Sequence, residues 1–312
     1  MKALLQFSAS DRLKKRLATI EDIEITVIDE QDEAGFIREI PDTDVLLHCL
    51  KPVSADMIAQ GSQLKLIQKI GIGVNTIDLD AAKKAGVIVA NMPGTNTAAV
   101  AEHTLALMLA TLRRMTTFDS ATRIGQGWQL SPNDAEAIGE ISGSTVGLVG
   151  YGAVGMRLAA PLTALGAKLQ YWSRTPKPDA IAKAVSFDEL LATSDILSLH
   201  IPATPETRHI LNAAAFGRMK PGAILVNTAR GELVDEAALA ASLASGRLAG
   251  AGLDVFAAEP LRDAGRLKEF PNVVMTPHIA WLTPQTIDRS LAVIEENCRR
   301  IRTGEPVLNR VV

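Results

Sequence analysis

A chain of 312 residues with 47% apolar and 21% charged residues has the make-up of an ordinary soluble protein and room for two domains. Its formal net charge is −3 with scattered basic residues, which gives no footing for nucleic acid, and apolar runs such as TLALMLATL at 104–112 are too short to span a bilayer. Cys49 and Cys298 are too few and too far apart for a disulfide framework or a metal site, so a cytoplasmic, reduced, metal-free chain is expected.

The N-terminus, MKALLQFSASDRLKK, has no cleavable apolar segment and reads as a short strand followed by a helix. KALLQF, EITVID, DVLLHCL, LKLIQKI and VIVAN are apolar runs of strand length, separated by helical stretches such as SADMIAQG and DLDAAKKAG. Strands alternating with helices imply a parallel sheet covered on both faces. From Asn96 a long helix is expected through TAAVAEHTLALMLATLRRM, dense enough in apolar residues to be mostly buried, and the polar segment GWQLSPNDAEA follows. A second alternating series has strand candidates TVGLVG, AKLQYW, ILSLHI, AILVNT, AGAGLDVF and NVVMTP. The chain therefore reads as α/β with two doubly wound parallel-sheet domains, the second over 99–283. The C-terminal helical pattern TPQTIDRSLAVIEENCRRIRTG is expected to return to the first domain, which would comprise 1–98 plus 284–312.

Residues 147–155, GLVGYGAVG, place Gly150, Gly152 and Gly155 in G-x-G-x-x-G spacing between an apolar strand and a helix. Gly150 permits the tight turn, Gly152 lets backbone approach a pyrophosphate, and Gly155 lets helix and strand pack closely. The amides of Ala153 and Val154, at the helix N-terminus, are the expected phosphate donors. The next strand ends in YWSRT, where a dinucleotide site that takes NAD commonly carries an acid for the adenosine ribose. Ser173 removes the charge that would repel a 2′-phosphate, and Arg174, with Thr175, supplies partners for one. The expected cofactor is NADP, with NAD possible. The alternative is an Arg174 that only meets solvent.

Three further strands end in polar residues, in NTARGELVDE, GLDVFAAEPL and TPHIAWLT. Ligands of an open parallel sheet bind beyond the carboxyl ends of its strands, so Arg230, Asp254, Glu259 and His278 are expected to converge on one crevice. At this point the chain resembles the D-isomer-specific 2-hydroxyacid dehydrogenases along essentially its whole length. KIGIGVNTIDLDAA, NMPGTNTAAVAEHTLALML, GLVGYGAVG, LHIPATPETRHILN, NTARGELVDEAAL, GLDVFAAEP and TPHIAW carry the resemblance, in family order.

The resemblance implies a Rossmann cofactor domain inserted into a flavodoxin-like substrate domain. It also implies that Arg230 binds the substrate, that Glu259 partners the catalytic histidine, and that His278 gives or takes the proton. These types suit the chemistry. A guanidinium binds a carboxylate and polarises a ketone. An imidazole exchanges a proton near neutral pH, and a carboxylate on its other nitrogen holds the ring and favours its protonated form.

By resemblance Pro202, Thr207, Thr228, Ala229, Asp254 and Ala280 line the nicotinamide side. Ile72, Gly73 and Val74 hold the substrate carboxylate, with Leu50 and Lys51 nearby, and Trp281 walls the pocket or packs structurally. His48 and His200 are expected to be structural, and His103 and His209 have no motif role.

Glu259 stands where formate-oxidising relatives have Gln, and Ile72 where phosphite-oxidising ones have Lys. Neither the longer N-terminal segment of the formate-oxidising relatives nor the regulatory C-terminal domain of many phosphoglycerate dehydrogenases is expected. Trp281 replaces a small residue, as in some glyoxylate and hydroxypyruvate reductases. The expected reaction is NADPH-dependent reduction of a small 2-keto acid, glyoxylate or hydroxypyruvate, by a homodimer with no nucleic-acid or membrane partner. Its expected interface is the helix from Asn96 and GWQLSPNDAEA. The alternatives are an NAD-dependent relative acting on phenylpyruvate or phosphoglycerate, or a nucleotide-sensing, corepressor-like binding module.

Overall fold

The computed structural model describes residues 1–129 and 131–312. They form two compact units, 1–96 with 282–312, and 97–281, so the second unit begins and ends two residues before the expected 99–283. In the first unit, β1 (Lys2–Gln6), β2 (Glu24–Ile28), β3 (Val45–His48), β4 (Leu66–Lys69) and β5 (Ile88–Ala90) form a parallel sheet in the order β2-β1-β3-β4-β5. This is the flavodoxin-like order. β3 and β4 bury every residue, as a sheet covered on both faces requires. Leu4, Phe36, Ile40, Leu46, Ile67 and Val89 belong to its core.

The connecting helices begin where short polar side chains cap them. Ser10, Asp32, Ser54 and Asp78 each accept a hydrogen bond from the amide three residues on. The C-terminal helix, Pro284–Thr303, starts at the Thr283 cap and stops at Gly304, whose φ is 72°. Its Asn297 donates to Gln68 Oε1 at 2.6 Å and accepts from the Leu308 amide at 2.7 Å, which fixes the C-terminal end of the chain in this unit.

The second unit holds β6 (Thr145–Val149), β7 (Lys168–Trp172), β8 (Lys183–Ala184), β9 (Ile196–Leu199), β10 (Ala223–Asn227), β11 (Leu248–Leu253) and β12 (Val273–Met275). They pair in parallel in the order β12-β11-β10-β9-β6-β7-β8, the Rossmann order with one added strand. The order reverses between β9 and β6, which makes their carboxyl ends the topological switch point. β8 is an exposed two-residue edge, too short for any hydrophobic period to reveal it in the sequence.

The helix expected over 97–115 stops three residues sooner, and a second helix that was not expected follows it. Thr97–Leu112 is buried against the sheet and ends where the apolar residues stop; Arg114 turns left-handed at φ 49°, and Met115–Arg123 follows, burying none of its residues. Among the described residues no helix is long and apolar enough to cross a membrane.

Candidate active site

The glycine loop follows β6 at the switch point. Gly150 has φ 102°, and a Cβ there would lie 2.5 Å from the His200 carbonyl oxygen. A Cβ on Gly155 would meet the Gly150 carbonyl oxygen at 2.6 Å, whereas one on Gly152 would meet nothing within 4 Å. Two glycines therefore close the turn, and the third opens space above the helix Ala153–Ala164. That helix carries no side-chain cap, which leaves the amides of Ala153 and Val154 available to an anion. The arrangement fits a dinucleotide diphosphate. Tyr151 of the loop stacks on Tyr171 of β7 with ring centroids 4.4 Å apart, which joins the loop to the strand that ends in Ser173.

After β7 the chain turns at Ser173, whose hydroxyl donates to the Thr175 carbonyl at 2.7 Å. Arg174 and Thr175 are exposed. Glu206, on the loop after β9, has its carboxyl held below the ordinary carboxylate value, first by the Thr204 hydroxyl and in part by the Arg174 charge. In the same loop, the Thr207 hydroxyl donates to the Pro202 carbonyl at 2.8 Å and accepts from the Thr204 amide at 2.8 Å.

The catalytic candidates stand after β10, β11 and β12. Asn227, fully buried at the end of β10, staples the next turn. Its Oδ1 accepts from the Ala229 amide at 3.0 Å and its Nδ2 donates to the Arg230 carbonyl at 2.9 Å. Arg230 is half-buried, and burial lowers its pKa against the opposing charges of Glu232 and Glu259. Its guanidinium stays charged at any ordinary pH. A Cβ on Gly231 would lie 1.9 Å from the Phe256 carbonyl carbon, so only glycine lets the Arg230 turn pack against the loop that bears Glu259.

Glu259 accepts from the Phe256 amide through Oε1 at 2.9 Å and faces His278 Nδ1 through Oε2 at 2.6 Å. An ionised carboxylate can only accept, so Nδ1 carries the proton and Nε2 is left for a reacting group. The two side chains are 20% and 29% exposed (His278 and Glu259), reachable yet shielded. His278 is left-handed at φ 54°, held there by its amide donating to the Asp254 carbonyl at 2.7 Å.

Asp254, expected to face the nicotinamide end, is fully buried. Its Oδ1 accepts from the Thr276 hydroxyl at 2.6 Å and the Ile279 amide at 3.0 Å, and its Oδ2 from the Ala280 amide at 2.9 Å. Burial alone would raise this carboxyl, but the nearby His103 ring N–H and the hydrogen bonds from Thr276 and the amides of Ala280 and Ile279 outweigh it and lower the pKa. His103, which had no role in the sequence reading, has Nε2 2.9 Å from the Thr276 hydroxyl and 3.5 Å from Asp254 Oδ1. Asn227 and Thr276 were missed as well. An Asn at a strand end, shortly before a glycine-flanked turn, is a readable staple signal, whereas the link from His103 to Thr276 spans 173 residues and has no local signal. Ala280 and Trp281 are buried, and Thr228 is buried beside Thr104.

In the first unit the loop Ile72–Gly73–Val74 follows β4. Ile72 is exposed, and its carbonyl accepts from Asn91 Nδ2 at 2.9 Å. Lys51 is turned to Glu33, 2.6 Å away, and to the Glu30 carbonyl, while Leu50 is half-buried. His48 is buried and bonded to the Lys51 carbonyl, His200 is half-buried and bonded to Ser198, and both fit a structural part. His209 is left-handed at φ 49°. Among the described residues no three His, Cys, Asp or Glu side chains form a group that could hold a metal.

Comparison with known proteins bears on the whole chain. Residues 105–280 match the model of the D-isomer specific 2-hydroxyacid dehydrogenase, NAD binding domain. A D-3-phosphoglycerate dehydrogenase of Mycobacterium leprae is 38% identical over 296 residues, which cover 93% of this chain but 55% of that protein, so the chain spans about half the length of such relatives. A hydroxypyruvate reductase of Thermotoga maritima is 39% identical over 270 residues, 85% of this chain and 86% of its own. The solved TT0316 protein of Thermus thermophilus superposes over 100% of both chains with a TM-score of 0.90 and 36% identity. With its two parallel-sheet units and these matches, the chain belongs to the D-isomer specific 2-hydroxyacid dehydrogenases.

Proposed function

We propose that this protein reduces a small 2-keto acid, glyoxylate or hydroxypyruvate, to the 2-hydroxy acid with NADPH as the preferred reductant. The observation that carries the reading is the 2.6 Å pair of His278 Nδ1 and Glu259 Oε2. It fixes the tautomer and leaves Nε2 to move a proton. Gly150, Gly152 and Gly155 with the amides of Ala153 and Val154 would hold the diphosphate. Ser173, Arg174 and Thr175 would hold the adenosine 2′-phosphate. Pro202, Thr207, Thr228, Ala229 and Ala280 would form the nicotinamide-side wall, backed by Asp254. When bound, the dinucleotide supplies the hydride.

The protein's own residues supply the rest. The Arg230 guanidinium binds the substrate carboxylate and draws electron density from the adjacent ketone. His278 Nε2–H gives its proton to the oxygen that becomes the hydroxyl. Glu259 stabilises the protonated ring and stays ionised itself. The hydroxypyruvate substrate is supported by the name of the Thermotoga maritima relative. The mycobacterial relative supports a second reading, oxidation of 3-phosphoglycerate.

Arg230→Ala and His278→Ala are expected to lower kcat/KM by about a hundredfold or more while NADPH binding and far-UV circular dichroism are kept. Full activity in either variant overturns the mechanism. The protein is further proposed to be a homodimer through the Met115–Arg123 face and the segment beyond it, of which Leu130 lies outside the described residues. Trp128 is 91% exposed, and Met115 and Ile124 are exposed as well, large apolar side chains of the kind a second copy covers.

A further inference from the structure

The helix Thr97–Leu112 reaches two of the catalytic strand ends with consecutive side chains. Thr104 Oγ1 donates to the Val100 carbonyl at 2.7 Å, so in its 2.7 Å contact with Thr228 the Thr228 hydroxyl is the donor. Thr228 stands two residues before Arg230. The Thr276 hydroxyl donates to Asp254 Oδ1, so in its 2.9 Å contact with His103 the proton belongs to His103 Nε2. Thr276 stands two residues before His278.

The close approach is made possible by the AGAGL of β11. A Cβ on Gly252 would sit 3.0 Å from Leu107 Cβ, and one on Gly250 would sit 2.8 Å from Thr111 Cγ2 and 2.6 Å from the Asn272 carbonyl. From His103 the hydrogen bonds run through Thr276 to Asp254. That carboxylate fixes the Ile279 and Ala280 amides on one side of His278, and the Asp254 carbonyl takes the His278 amide itself.

We infer that His103 is a positioning residue. Through Thr276 and Asp254 it sets the backbone that holds His278 left-handed, and with it the His278–Glu259 pair, while Thr104 braces the Arg230 turn from the same helix. His103 touches neither substrate nor cofactor in this account. Its catalytic consequence rests on the reductase reading above, but its structural consequence does not.

The experiment compares the full-length protein with His103→Leu, which removes the donor, and His103→Gln, which can return an N–H near the position of Nε2. Imidazole 15N NMR follows the His278 ring and its Nδ1–H. Steady-state kinetics follow kcat and KM with NADPH and glyoxylate or hydroxypyruvate. His103→Leu is expected to shift the His278 ring signals and cut kcat about tenfold or more with KM for NADPH nearly unchanged. His103→Gln should restore the signals and most of kcat. Unshifted His278 signals in His103→Leu overturn the inference, whether or not turnover changes. So does a His103→Gln variant as impaired as His103→Leu, because the side chain then only fills space. A wild-type protein that turns over neither keto acid refutes the reductase reading, and the NMR comparison still decides the role of His103.

Discussion

At the scale of single residues, the proposed choice of NADPH rests on the turn after β7. Ser173 donates to the Thr175 carbonyl and carries no charge, and Arg174 is exposed beside it. If Arg174 binds the 2′-phosphate as proposed, replacing it and adding a carboxylate removes one or two charge-assisted hydrogen bonds, each worth about 1.5–3 kcal/mol. The double variant Ser173→Asp, Arg174→Ala is therefore expected to move the NADPH-to-NADH ratio of kcat/KM toward NADH by about ten- to a hundredfold. An unchanged ratio means that this turn does not read the 2′-phosphate. The candidate residues were legible here because each follows an apolar strand. Arg230, Glu259 and His278 stand where a parallel sheet delivers ligand contacts, and the structure pairs two of them at 2.6 Å. The environment of Asp254 was not legible: three donors converge on it, and one of them, Thr276, is itself held by His103 from a helix far away in sequence.

At the scale of elements, the strands other than β8 and their parallel pairing were readable because strands buried on both faces leave unbroken apolar runs. Besides β8, the reading missed the helix Met115–Arg123 and ended the helix before it three residues late. An apolar run predicts burial but not length, and the break at Arg114 falls where MTTFDSATR has nothing to bury against. That second helix, with Trp128 beyond it, presents the apolar surface assigned to a second copy. Trp128→Glu is expected to shift the mass measured by light scattering from dimer to monomer, weakening association by about tenfold or more, since burying a charge at such a patch is costly. A variant that remains as dimeric as the wild type places the interface elsewhere.

At the scale of the whole molecule, each unit holds one histidine, buried His48 and half-buried His200, whose charge folding suppresses. Burial, helped by the Lys69 charge, lowers His48 from 6.5 to about 3, and burial lowers His200 from 6.5 to about 4. Below 6.5 the unfolded chain binds these protons and the folded chain does not. Stability from this source is therefore full above 6.5 and falls by about 1.4 kcal/mol per pH unit for each histidine as pH drops toward the folded values. Urea unfolding near pH 5 should give a free energy lower than near pH 7.5 by about 2 kcal/mol per histidine, and His200→Gln should flatten that slope for the second unit. An equal slope in the variant would mean that His200 does not carry it. The proposed reaction is tested by the initial rate on glyoxylate, hydroxypyruvate, pyruvate and phenylpyruvate, each with NADPH and with NADH. The highest kcat/KM is expected on glyoxylate or hydroxypyruvate, with NADPH preferred by about tenfold or more. No turnover with any pair, or a clear preference for NADH, would contradict it.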